Sequence, residues 1–190
     1  KKNTILTRAE KESTAYHEAG HATVSWMLRY ANPLIKVTIV PRGRALGAAW
    51  YLPEERQHVT SSHLLDDICA TLGGRAAEEL IYGEVSTGAL NDLENTTKKA
   101  YAMIVYYGFS DKLKNLSYYD SSGRSDYAFS KPYSEETSKL IDEEVKVLIN
   151  EQYERAKSIL SENMDGLRQL ASILIEKEVI FAEDVERIFG

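Results

Sequence analysis

His17-Glu18-Ala19-Gly20-His21 lies inside a stretch, from about Arg8 to Tyr30, whose start and length predict a helix. Thr7-Arg8-Ala9-Glu10 has the form of a capping box, with Thr7 as N-cap and Glu10 reaching back to it. Asn32-Pro33 supplies the stop, because the residue before a proline is driven out of the helical region. Side chains four apart stack on one helical face, about 5–6 Å apart at Cβ. Two imidazoles so placed, His17 and His21, can reach one tetrahedral Zn2+ at roughly 2.0–2.1 Å. Glu18, one step round from His17, then faces the water that such an ion activates, as a general base able to pass the proton to a leaving amine. One zinc per chain is expected. Gly20 costs the helix about 1 kcal/mol against Ala, which predicts that another element packs closely there.

A catalytic zinc with one open position needs a third protein ligand. His58 and His63 flank a predicted loop and helix start and read as surface residues. Among the carboxylates, Glu78 and Glu79 lie mid-helix in Gly74-Arg75-Ala76-Ala77-Glu78-Glu79-Leu80, and Asp92 sits where a Ser-Thr-Gly loop turns into a helix. Spacing leaves the choice among these three open.

Outward from the motif, Ile35-Lys36-Val37-Thr38-Ile39 alternates with period two and predicts a half-buried strand. Pro41-Arg42-Gly43-Arg44 breaks it, and residues 47–52 predict a second strand. Helices are expected over 62–72 and 75–82, punctuated by Gly73-Gly74, and over 91–107, closed by Gly108. Residues 110–133, rich in Ser, Asp, Gly and Tyr, read as a long loop. Ser134 opens a strong helix to about Leu160, with Leu140, Ile141, Val145, Leu148 and Ile149 at helical spacing. Short helices near 166–176 and 182–188 complete the chain. The expected fold is mainly α with a small β-sheet: a zincin-like motif helix beside a short sheet, followed by a helical bundle. Residues 1–190 are read as one metallopeptidase domain, with a zinc and substrate-strand half (1–107) and a mostly helical half (108–190).

Composition sets the outer bounds. The 190 residues carry 23 basic and 29 acidic side chains, a formal charge of -6, which disfavours phosphate-driven nucleic-acid binding. The single cysteine, Cys69, cannot form an internal disulfide and reads as a small core residue in a reducing compartment. No apolar run approaches the roughly 18 residues of a bilayer span. The start has no signal-peptide pattern, so the chain reads as an excised domain.

Six segments together resemble the peptidase domain of the FtsH family, the membrane-bound AAA metalloproteases. They are His-Glu-Ala-Gly-His at 17–21, Pro-Arg-Gly-Arg-Ala-Leu-Gly at 41–47, Gly-Gly-Arg-Ala-Ala-Glu-Glu-Leu-Ile-Tyr-Gly at 73–83, Ser-Thr-Gly-Ala-Leu-Asn-Asp-Leu at 86–93, Tyr-Gly-Phe-Ser at 107–110 and Ile-Asp-Glu-Glu-Val at 141–145. The first alone is shared by many zincins, whereas the ordered set is specific and spans nearly the whole chain.

The resemblance implies that Asp92 is the third ligand. It also implies that Glu78 and Glu79 support the site without binding metal, for instance through a hydrogen bond to a ligand imidazole. It further implies that the strand around Gly47, Ala48, Ala49, Trp50 and Tyr51 holds substrate as an added strand. The activity expected from it is zinc-dependent cleavage of unfolded or membrane-extracted proteins, as the proteolytic module of an ATP-dependent membrane protease. ATP would act only through an ATPase module, since this chain has no G-x-x-x-x-G-K-[ST] loop.

A homo-hexameric ring is implied for the full-length protein, anchored by segments outside this chain. The peptidase side would face the cytoplasm of a bacterial inner membrane or the equivalent organellar compartment, and the fragment itself would be soluble. The competing reading is a catalytically silent, ring-forming or interaction domain that keeps a zinc site. Glu18 argues against it, because a structural zinc has no use for an acid beside an open position.

Overall fold

The computed structural model describes residues 7–41, 47–53, 58–118 and 132–190. Most of the Pro-Arg-Gly-Arg-Ala-Leu-Gly segment (42–46) and of the expected long loop (119–131) lie outside the described residues. Helix α1 (Arg8–Met27) opens with the expected capping box: the Glu10 amide donates to Thr7 Oγ1 at 3.1 Å, and the Thr7 amide donates to Glu10 Oε1 at 3.0 Å. It ends three residues earlier than expected. Leu28 turns into extended backbone, and the Tyr30 amide donates to the Asp66 carboxylate at 3.0 Å instead of to a helical carbonyl. A side chain from a distant helix thus sets the end of α1, which local sequence cannot foretell.

Strands β1 (Leu34–Thr38) and β2 (Ala48–Tyr51) pair antiparallel, Val37 opposite Ala49 and Thr38 opposite Ala48. The pairing shifts between Leu34 and Lys36, so Leu34 is buried while Ile35 faces outward, against the simple alternation expected from the sequence. Helices α2 (Ser61–Thr71) and α3 (Gly73–Tyr82) follow, and Leu72 alone separates them. Gly73 and Gly74, expected as punctuation, belong to the first turn of α3. A 3-10 turn (Thr87–Ala89) leads into α4 (Leu90–Val105). Helix α5 (Glu135–Glu162) precedes α6 (Met164–Lys177), β3 (Val179–Phe181) and α7 (Ala182–Phe189).

Sequence reading missed β3, three residues wedged between two helices and too short to show a period. It pairs antiparallel with β1, giving the order β2-β1-β3 and leaving β2 at one edge. Glu178, at φ 69°, turns the chain out of α6 into this strand, and its carbonyl accepts from the Ile39 amide at 3.1 Å.

The larger core joins the buried face of α1 (Ala15, Ala19, Ala22, Val24) to Val37 and Ile39 of the sheet region and to Leu167, Leu170, Leu174 and Val185. A second cluster, with Ile68, Leu72, Ile104, Ile141 and Val145, binds α2, α4 and α5 together. Helix α1 is therefore buried along nearly its whole inner length, including Thr14, His17, Glu18 and His21. Among the described residues no helix is long and apolar enough to cross a membrane.

Helices α1 and α3 meet at glycines. A Cβ on Gly20 would meet the Gly73 carbonyl oxygen and lie 2.6 Å from Ala77 Cβ, and a Cβ on Gly73 would lie 2.8 Å from the Gly20 carbonyl oxygen. In a free helix Gly→Ala gains about 1 kcal/mol. Gly20→Ala is expected to do the opposite, lowering the stability of the fold by roughly 1–3 kcal/mol through overpacking. Urea unfolding of the variant against wild type checks the sign.

Candidate metal centre

One turn of α1 carries His17, Glu18 and His21, and each is at least nine-tenths buried. The two imidazoles meet edge to face with centroids 4.7 Å apart, and their Nε2 atoms are 3.1 Å apart. Asp92, in the first turn of α4, brings Oδ2 to 3.1 Å from each of those nitrogens. Two nitrogens and a carboxylate oxygen thus form a triangle with equal edges. Ligands at about 2.0–2.2 Å around a tetrahedral zinc stand roughly 3.3–3.5 Å apart, so this triangle would open by only a few tenths of an ångström to take a zinc ion. Among the described residues, His17, His21 and Asp92 form the group of metal-binding side chains that could hold an ion.

The outer ring nitrogens are also held. His17 Nδ1 lies 2.5 Å from Glu78 Oε2, and His21 Nδ1 lies 3.1 Å from the Ala70 carbonyl oxygen. In the neutral form, an N–H donating at both Nδ1 positions would leave each Nε2 lone pair aimed at the triangle, the tautomer a metal ligand requires. Gly74 makes room for this arrangement, since a Cβ there would lie 2.5 Å from His17 Nε2. Glu78, itself buried, takes a second hydrogen bond from Ser86 Oγ at 2.6 Å.

Its neighbour Glu79 points the other way. The Tyr153 hydroxyl donates to Glu79 Oε1 at 2.5 Å and Lys157 to Oε2 at 3.3 Å, so Glu79 ties α3 to α5 and does not touch the histidines. His58 is exposed, while His63 packs on Tyr30 at 4.4 Å and lines the far end of the cleft.

Charge in the site is tightly coupled. Burial opposes a charged His17, but its hydrogen bonds to the Asp92 and Glu78 carboxylates and the nearby Glu18 carboxylate outweigh it and raise its pKa to about 10. His21 is also raised: burial opposes its charge, and the Asp92 hydrogen bond does most to overcome that. Asp92 moves the other way. Burial would raise it, yet both imidazoles hold it well below the usual carboxylate range. Glu18 is raised chiefly by burial, with the two histidines pulling back.

A cleft of about 1270 Å3 opens onto this group, lined among others by Glu18, Gly47, Ala49, Tyr51, Ser86 and Asp92. Gly47 passes so close to Glu18 that a Cβ would lie 3.1 Å from its Oε2. Trp50, from the same expected strand, is not among the cleft-lining residues, and Lys36 stands above its ring at 4.2 Å. Sequence reading missed Ser86 and the Ala70 carbonyl. The first is one small polar residue in the Ser-Thr-Gly segment with no signal of its own, and the second is a backbone group that no side-chain pattern can mark.

The model of peptidase family M41 matches residues 4–188. The chain belongs to family M41. It is 66% identical over 190 residues to an ATP-dependent zinc metalloprotease FtsH of Parabacteroides distasonis, covering 100% of this chain and 28% of that protein. It is 53% identical to the FtsH of Karelsulcia muelleri, covering 99% of this chain and 30% of that protein. Against the mouse mitochondrial inner membrane m-AAA protease component AFG3L2 the identity is 44%, covering 100% of this chain and 24% of that protein. The M41 chain thus spans less than a third of the length of these relatives.

The raised histidines bear on metal loading. A divalent ion needs neutral imidazoles, and His17, with a pKa near 10 in the metal-free protein, is protonated at pH 7. Loading is therefore expected to release about one proton or more per ion at pH 7, and apparent affinity is expected to rise with pH. Titration calorimetry in two buffers of different ionisation enthalpy measures the release.

Proposed function

We propose that this chain is the zinc endopeptidase module of a larger ATP-dependent membrane protease. The observation that carries the reading is the meeting of His17, His21 and Asp92 in an equal-edged triangle, with Glu18 beside it in a cleft under an edge strand. His17 Nε2, His21 Nε2 and an Asp92 oxygen would hold Zn2+. Zinc bound there supplies Lewis acidity, lowering the pKa of a water toward about 7 and polarising the scissile carbonyl.

The chain's own residues do the rest. Glu18 takes a proton from the attacking water and delivers it to the leaving amine. Its burial raises the proton affinity of the carboxylate, the direction a general base requires. Glu78 holds the His17 ring through Nδ1, and the Ala70 carbonyl does the same for His21. The outer edge of β2, an edge strand among the described residues, binds an extended peptide by main-chain hydrogen bonds, with Gly47 keeping the backbone close above Glu18. Small side chains at Ala48 and Ala49 leave such a groove with little sequence preference, which suits unfolded polypeptide. Residues 1–190 serve as a single peptidase domain. The relatives' names and greater lengths support an ATPase module and a membrane anchor in the full-length protein, with ATP used there and not here, and the proposal includes a homo-hexameric ring of such chains.

Two substitutions test the assignment. Glu18→Gln is expected to retain zinc while hydrolysis of unfolded casein falls by roughly 10²–10⁴-fold, and equal rates would remove Glu18 from the mechanism. Asp92→Ala is expected to lower bound zinc far more than Glu78→Gln, which should weaken affinity by about 10–100-fold. Metal analysis of the purified variants decides the ranking, and the reverse order would give the third position to Glu78.

A further inference from the structure

We propose that Ser86 is a positioning residue that fixes Asp92 in the metal site. The inference rests on the reading that His17, His21 and Asp92 bind zinc. Asp92 and the histidines come from segments 71–75 residues apart in sequence, so something must hold the α4 entrance against α1.

The segment that delivers Asp92 has few anchors. Residues 82–88 are exposed, and Ala89 is the first to be buried again. Helix α4 begins after Ala89 with no side-chain cap. The tether is Ser86: its main chain also bonds to Glu78, and its hydroxyl supplies the side-chain part of the link. The hydroxyl caps the 3-10 turn by accepting from the Gly88 amide at 3.1 Å, and it donates to Glu78 Oε1 at 2.6 Å. The other Glu78 oxygen receives His17 Nδ1 at 2.5 Å.

One buried carboxylate therefore joins the helix that carries two ligands to the turn that delivers the third. Ser86 is the only side chain of that link standing on the Asp92 side. A hydroxyl suits both tasks, since it donates once and accepts at the same time. Its loss leaves the Gly88 amide without that acceptor and Glu78 Oε1 without that donor, and the turn regains conformational freedom. Asp92 is then delivered to the triangle only part of the time.

The test compares the wild-type chain with Ser86→Ala, Ser86→Thr and Asp92→Ala for zinc affinity, by competition with a chromophoric chelator, and for the visible spectrum of the cobalt-loaded proteins. Ser86→Ala is expected to bind zinc about 10–100-fold more weakly and to show an altered cobalt spectrum, while Ser86→Thr restores both. In the Asp92→Ala background the Ser86→Ala loss is expected to vanish. Far-UV dichroism and the urea midpoint monitor folding, and Ser86→Cys, which keeps the volume but weakens the hydrogen bond, replaces the alanine variant should that one not fold. Wild-type affinity and spectrum in the folded Ser86 variants overturn the role, as does an undiminished loss in the Asp92→Ala background. A wild-type chain that takes up no zinc sinks the proposed centre and this role with it.

Discussion

Helices α1 and α3 pack so closely that Gly20, Gly73 and Gly74 leave no room for a methyl group: a Cβ on Gly20 would lie 2.6 Å from Ala77 Cβ, one on Gly73 2.8 Å from the Gly20 carbonyl oxygen, and one on Gly74 2.5 Å from His17 Nε2. Everything in the site hangs on that approach. It brings Glu78 within hydrogen-bonding reach of His17, and it places the turn that follows α3 where Asp92 can complete the triangle. Glycine in a helix is unfavourable on its own, so the contact must return more than it costs. The burial of Ala15, Ala19, Ala22, Val24, Ala76 and Ala77 around the crossing supplies that return.

The electrostatic design follows from the same burial. Two imidazoles and three carboxylates share a space with little water, where unpaired charge is costly. Both imidazoles and two of the carboxylates are held by partners: Glu78 and Asp92 on His17, Asp92 and the Ala70 carbonyl on His21, Ser86 on Glu78. The carboxylates that accept those bonds, Glu78 and Asp92, have lowered pKa values. Glu18, which burial dominates, is pushed the other way. Carboxylates within one site are thus divided into two that accept hydrogen bonds and are lowered and one that burial raises, and their surroundings make the division.

Much of the helical architecture was legible in the sequence, because capping boxes, apolar spacing and glycine stops are local signals. The Thr7–Glu10 cap, the long α5 and the two closing helices all formed where those signals stand. Departures came where a distant partner overrode local preference. Asp66 captured the Tyr30 amide and shortened α1, a bulge turned Ile35 outward, and β3 became a strand because β1 offered it a free edge.

The same division runs through the candidate site. The one-turn spacing of His17 and His21, with Glu18 between them, is a property of any helix and can be read from five consecutive letters. Spacing could not choose among Glu78, Glu79 and Asp92, since the choice depends on which face of α3 and which end of α4 meets α1. Folding sends the adjacent Glu78 and Glu79 to opposite sides, one to His17 and one to Tyr153, because successive helical residues point about 100° apart. Periodicity is written along the chain, whereas convergence exists only after distant segments have packed.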